Sequence, residues 1–273
     1  MRPGFALDAE SAPAVAQVCA RLDGIPLAIE LAAARVRVLP PRQLLARLDD
    51  RFRLLTGGSR AALARHQTLR AAVDWSHALL TAPERALFAR LAVFAGGFTL
   101  EAAEAVGADR PDGPEGPEPG GIEAPEVLDL LTRLVDQSLV VAEAEPGGAA
   151  RYRQLETLRQ YAAERLEQSG EREAVGRRHA GYFLGLAGRA AEAMHGPDQG
   201  AWFDRLERDR DNLRAALGWV LAHGDARRGH RFVEALRWFW EVRGDAAEGR
   251  RQVAALLAPV SYTHLTLPTI LLV

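Results

Sequence analysis

Apolar residues recur along this chain mainly three and four positions apart, and clusters of Gly and Pro interrupt them at short intervals. That period is helical, so the pattern predicts a mainly α protein cut into short helices. In "SAPAVAQVCA" (11–20), Val15, Val18 and Cys19 share a face with Leu22, while Ser11 stands at a cap position and Pro13 suits a first turn. "DGIP" ends this helix: Gly24 can take the left-handed C-cap conformation and Pro26 cannot continue the helix. A second helix is predicted over about 27–38, stopped by Pro40 and Pro41, and a third over "RQLLARLDDRFRLL" (42–55), stopped by Gly57 and Gly58. Residues 1–62 therefore read as a small helical bundle.

A different order of elements fills 63–168. "QTLRAAVDWSHALL" puts Leu69, Val73, Trp75, Leu79 and Leu80 mostly on one face. "TAPERALFARLAVF" begins with Thr81 and Glu84 at capping-box spacing, and Thr99 caps "LEAAEAV". The acidic, Pro/Gly-rich stretch 109–124 has almost nothing to bury and reads as an exposed, mobile insertion. "APEVLDLLTRLVDQSL" is the next helix. "VVAEAE" and "ARYRQL", joined by Pro-Gly-Gly, form a two-stranded hairpin, and "ETLRQYAAERLEQSG" is helical up to Gly170. Helices followed by a hairpin is the order of a winged helix with one helix appended.

Residues 169–258 are helical throughout, with helices expected near 172–194, 199–222, 225–242 and 245–258. Their last breaks return after about 20 residues, which suggests tetratricopeptide-like repeats of stacked antiparallel pairs. "VSYTHLTLPTILLV" (260–273) has no charged residue and holds one of the chain's four isoleucines. It resembles the spurious read-through endings of assembled environmental sequences, so 259–273 is taken as a non-native tail; a native strand-like terminus is the alternative.

Composition narrows the chemistry. With 273 residues, 48% apolar and 26% charged, the chain has room for two or three globular domains. A net charge of −2 sets up no whole-molecule attraction to nucleic acid or to a membrane surface. Cys19 is the only cysteine, which excludes an internal disulfide and any cysteine-built zinc site, and makes the cytoplasm the expected compartment. All 34 basic residues are arginine. Without a lysine there is no Walker phosphate loop and no Schiff-base chemistry.

"CARLDGIPLAIELAAARVRVLP" and "LRAAVDWSHALLTAPERALFARLAVFAGGFTLEAAEAV" closely resemble the bacterial signal-transducing ATPases with numerous domains, in particular the NB-ARC-type regulators that carry SARP or LuxR-like outputs. The resemblance covers about residues 5–258. It implies an upstream phosphate-loop domain that binds ATP or ADP, then a helical lid, a winged helix and a helical-repeat sensor. On that reading the chain starts at the lid, Met1 is an internal start or fragment edge, and the fragment neither hydrolyses ATP nor holds nucleotide stably by itself. Gly24, Ile25, Pro26 and Leu27 match the family's Gly-x-Pro turn, where the proline packs near adenine; Gly24 and Pro26 are thus the implied nucleotide-side residues. A plain helix-breaking turn is the alternative. Gln154, Leu155 and Glu156 stand where relatives carry Met-His-Asp, whose histidine approaches the β-phosphate of ADP. Leucine cannot donate such a hydrogen bond. Glu156 keeps the carboxylate, which a helix N-terminus also favours by itself. The implied partners are the upstream ATPase domain and, through the repeats, another protein or a second copy.

From Arg21 to Arg70 ten arginines face four carboxylates, a surface suited to nucleotide phosphates or simply to water. The helix before the hairpin carries Glu126, Asp129 and Asp136 against Arg133, which repels a duplex and argues against direct DNA contact. Trp202, Trp219, Trp238, Phe239 and Trp240 read as repeat core, with one ring of "RWFW" left to line a docking groove. Histidine spacings match no metal site, and no nucleophile elbow is present. The sequence therefore points to a regulatory, non-catalytic piece of a nucleotide-switched transcriptional regulator; a protein-interaction scaffold and a DNA-binding winged helix are the alternatives.

Overall fold

The computed structural model describes residues 8, 11–22, 26–36, 38–46, 61–109, 121–144, 150–194, 196–243, 247, 250–251 and 254. They fall into two compact units, Met1–Val175 and Gly176–Val273. The protein is mainly α with one small antiparallel sheet. The first unit contains α1 (Ala12–Arg21), α2 (Pro26–Arg35), α3 (41–46), α4 (Ala61–Ala78), α5 (Ala82–Arg90), β1 (Phe98–Thr99), α6 (Leu100–Gly107), α7 (Glu126–Asp136), β2 (Val141–Ala144), β3 (Ala150–Arg153) and α8 (Glu156–Ser169). The helix α9 (Arg172–Ala193) runs from the first unit into the second, which continues with α10 (Gln199–Arg208), α11 (Arg210–Ala222) and α12 (Ala226–Val242).

The helices α1–α3 build their core with help from α4. Val18 and Leu22 of α1, Ala28 and Ala32 of α2, and Leu44 of α3 pack with Ala72 and Trp75 of α4. Ser11 precedes α1 but does not cap it: its own backbone is already helical, and its hydroxyl donates to Asp8 Oδ1 at 2.8 Å. The second helix starts at Pro26 and ends at Arg35, earlier at both ends than the predicted 27–38. Proline has no N–H to lose at a first helical position, so Pro26 opens the helix instead of standing outside it. Most of the predicted third helix beyond residue 46 lies outside the described residues.

The capping box forms in full. Thr81 Oγ1 accepts from the Glu84 N–H at 3.4 Å, and Glu84 Oε2 accepts from the Thr81 N–H at 2.7 Å. Thr81→Ala should lower unfolding free energy by about 1 kcal/mol, read from urea denaturation; a change indistinguishable from zero would mean that Glu84 alone holds this terminus. Thr99 also caps as expected, accepting from the Ala102 N–H at 3.2 Å. Val73, Trp75 and Leu80 are buried, but Leu79 is 40% exposed because it follows the end of α4, where helical spacing no longer applies.

The hairpin is part of a three-stranded sheet in the order β1-β3-β2, with Phe98 opposite Tyr152 and Val141 opposite Arg153. The added strand is two residues long, too short to leave an alternating signature. The Asp109 N–H donates to the Ile122 carbonyl at 2.8 Å, and Ile122 N–H returns to Asp109 Oδ2 at 2.7 Å. Ile122 is buried, so the segment does bury an anchor at its end, contrary to the reading from composition. Residues 110–120 between them lie outside the described set. As predicted, α8 stops at Gly170, whose φ of 77° is left-handed.

In the second unit the helix expected over 199–222 is two helices that break at Asp209. "ERDRDN" contains no Gly or Pro, so nothing in the pattern announces the break; Asp209 is itself buried there. Phe183, Leu206, Leu217, Phe232 and Leu236 are among the buried apolar residues. A Cβ at Gly176 would lie 2.5 Å from Trp219 Nε1, so α9 and α11 meet closely only because this position is glycine. Most of the helix expected at 245–258, and all of 259–273, fall outside the described residues.

Candidate functional site

Of the implied nucleotide-side residues, Gly24 lies outside the described residues. Pro26 is the exposed first residue of α2, while the helix behind it buries Ala28, Leu31 and Ala32. A rigid ring is thus presented at the surface on a packed helix, a geometry that can contact a flat apolar ligand without losing backbone hydrogen bonds.

Glu156 opens α8 and is exposed. Its two oxygens accept from Arg159 Nε and NH2 at 2.9 Å each, and Oε1 also accepts from Gln160 Nε2 at 2.9 Å. Hydrogen bonds from Arg159 and Gln160 hold its carboxyl below the usual range. The charge is satisfied within its own helix, and no described hydrogen bond or ion pair joins it to Pro26. Gln154, two residues earlier, is buried: its Nε2 donates to the Phe88 carbonyl at 3.0 Å, near the end of α5. This bond ties the strand-to-helix junction to α5.

On the small sheet, Arg151 NH2 donates to the Gly97 carbonyl at 2.6 Å, and Arg153 Nε donates to Glu143 Oε1 at 2.6 Å. A Cβ at Gly97 would collide with the Arg151 side chain at 2.6 Å, so glycine is what admits this contact. Arg151 is thus tied to backbone, while Arg153 and Glu143 form a pair at the surface. The outer face of α7 exposes Glu126, Leu128, Asp129 and Asp136 together with Arg133.

Three polar clusters escaped the sequence reading. Arg90, with a side chain only 6% exposed, reaches Glu171 Oε2 at 3.0 Å, Asp109 Oδ1 at 2.9 Å and the Gly107 carbonyl at 2.7 Å. Burial lowers its proton affinity, but the bonds to Glu171 and Asp109 outweigh this and hold it above the usual value. The signal for it was an arginine inside the apolar run "LFARLAVF". Tyr161 of α8 donates to Asp74 Oδ1 of α4 at 2.6 Å; burial first, and that hydrogen bond second, push the phenol up. Arg70 and Glu164 pair beside it at 2.6 Å. In the second unit, buried His179 is held down to about 4 by burial, partly offset by its hydrogen bond with Asn212. None of these clusters has the periodicity that a sequence pattern detects.

Among the described residues no three His, Cys, Asp or Glu side chains gather as metal ligands, and no helix is long and apolar enough to cross a membrane. Phe239 and Trp240 are buried and, with Leu213, Leu217 and Leu236, line a small cavity between α11 and α12. Trp238 is 37% exposed, and Val242 one turn on is 51% exposed.

No protein-family model matches the chain. Over 269 residues, 98% of its length, it is 44% identical to a Mycobacterium bovis protein named "Putative HTH-type transcriptional regulator". Its relatives are longer proteins. A protein of the same description from Mycobacterium tuberculosis matches at 44% over the same 269 residues. A second Mycobacterium bovis protein, named "Uncharacterized protein", is 51% identical over 175 residues, 64% of this chain. The chain spans 29% of the first relative and 42% of the last.

Proposed function

We propose that this chain is the lid, winged-helix and repeat portion of a nucleotide-switched transcriptional regulator. The observation that carries the reading is its similarity, over 98% of its length, to proteins named as transcriptional regulators of which it would form less than a third. The remainder of such a protein would supply the phosphate-binding ATPase module and the output domain. In this reading Gly24 and Pro26 form the turn that presses on adenine, and the packed α2 behind Pro26 carries nucleotide state into the lid. The described part of the winged helix serves as a packing module, because Arg151 is tied to the Gly97 carbonyl, Arg153 is paired with Glu143, and on α7 Glu126, Asp129 and Asp136 outnumber Arg133. Glu156 acts as a helix-terminal charge and contributes weakly, if at all, to nucleotide contact. Trp238 and Val242 give the repeats an apolar strip for a protein partner or a second copy. ATP or ADP is the cofactor of the complete protein, and its compartment is the cytoplasm.

The test uses the protein expressed with its preceding coding sequence. Pro26→Trp should weaken ADP binding about tenfold, equivalent to about 1.4 kcal/mol, with the helical circular dichroism spectrum unchanged. Unaltered ADP affinity, or absence of any ADP or ATP binding by the longer wild-type protein, counts against the proposal.

A further inference from the structure

Arg35 lies in the last turn of α2, yet its partners stand 41 and 102 residues further along the chain. Its guanidinium donates to the Ser76 carbonyl at 3.0 Å and to Gln137 Oε1 at 2.8 Å. Ser76 sits in the last turn of α4, and Gln137 is the C-cap of α7. The C-terminal ends of three helices thus converge on one cation, and each presents the negative end of its dipole.

Attraction to dipoles is not a full substitute for an anion. Among the described residues no carboxylate reaches Arg35. Glu84 acts on it only through space, since its oxygens serve the Thr81 N–H and lie near Arg133, 3.7 Å away. The Arg35 Nε is buried with no partner, and burial pulls the guanidinium's proton affinity below its usual value. A charge withdrawn from water and met by neutral acceptors, with one donor unmatched, leaves the docked arrangement little margin. The apolar part of the same joint places Ala28 and Ala32 of α2, with Val18 and Leu22 of α1 and Leu44 of α3, against Ala72 and Trp75 of α4.

We propose that Arg35 is a releasable latch between the lid helices and the winged helix. Engaged, it fastens α1–α3 to the ends of α4 and α7; released, its guanidinium regains hydration and the lid helices come away as a group. The latch belongs to the joint itself, whether or not nucleotide drives it.

Cys19 on α1, the chain's only cysteine and half-buried, provides the reporter. In the full chain, Gln137→Leu removes an acceptor and leaves the cation stranded. Thiol labelling of Cys19 and amide exchange in α1–α3 should rise about tenfold or more, because a hydrogen bond to a charged group is lost. Exchange in α5 and α7 should stay at the wild-type level. Adding Arg35→Met to Gln137→Leu should return labelling toward wild type, because the stranded charge is gone. Gln137→Glu, which offers Arg35 a carboxylate, should slow labelling below wild type. Unchanged labelling in Gln137→Leu, equal loss of protection in α5 and α7, no rescue by the double variant, or faster labelling in Gln137→Glu would each overturn the latch.

Discussion

Arg90→Met lowers the unfolding free energy of the first unit by about 3 kcal/mol, measured by urea denaturation followed through amide exchange or circular dichroism. The expectation follows from what the guanidinium holds. It joins the end of α5 to the Gly107 carbonyl that ends α6, to Asp109 at the neck of the following segment, and to Glu171 just before α9. Removing one member of a buried ion network costs about 3–5 kcal/mol because the remaining charges and acceptors lose their partner. The lower end applies here: Asp109 and Glu171 are 28% and 34% exposed and can turn to water, whereas the Gly107 carbonyl cannot. Arg90→Lys should recover only part of the loss, since an ammonium keeps the charge but not the planar fork that serves three partners. A loss under 1 kcal/mol for Arg90→Met would mean that the network contributes nothing beyond its packing.

The second large effect is a dependence on pH. His179 is buried neutral, with its proton affinity lowered to about 4. Its unfolded value is near 6.5, so the unfolded chain binds the extra proton first as pH falls. The neutral histidine's contribution is therefore complete above about pH 6.5 and is lost progressively as pH drops toward 4. At about 1.4 kcal/mol per unit, the loss across that window is about 3 kcal/mol. Four of the five tryptophans, Trp202, Trp219, Trp238 and Trp240, lie in the second unit, so tryptophan fluorescence during denaturant unfolding reports on it directly. His179→Gln should flatten the slope between pH 6.5 and 4. The carboxyls of Glu156 and Glu164, held low by Arg159 and Arg70, lose their contributions as pH falls through about 4.5 and below, but both lie in the first unit, apart from the second unit's slope. A wild-type second unit equally stable at pH 7 and pH 4.5 would refute the assignment.

Sequence alone was strongest where the cause of structure is local. Thr81 and Glu84 lie within one helical turn of each other, and Gly170 needs only its own backbone freedom, so capping box and helix stop were legible without the fold. The helix-rich class, the order of the elements and the hairpin followed from periodicity and turn residues for the same reason. At Pro26 a local rule was applied from the wrong side, since proline both stops one helix and starts the next. The break at Asp209 and the strand at Phe98–Thr99 left no periodic trace, because each depends on what a distant segment places against it.

The candidate site divides along the same line. The sequence determined that this chain has no lysine for a phosphate loop, and its turn at residues 24–27 carried the resemblance to nucleotide-switch proteins. Only the tertiary structure decided that Glu156 is spent on its own helix, that the hairpin arginines serve Gly97 and Glu143, and that Arg35 and Arg90 are interior bolts and not surface cations. An arginine's letter is the same in water and in a core. Its meaning is set by which carbonyls and carboxylates the fold brings to it from 17, 81 or 102 residues away, and no spacing rule reaches that far.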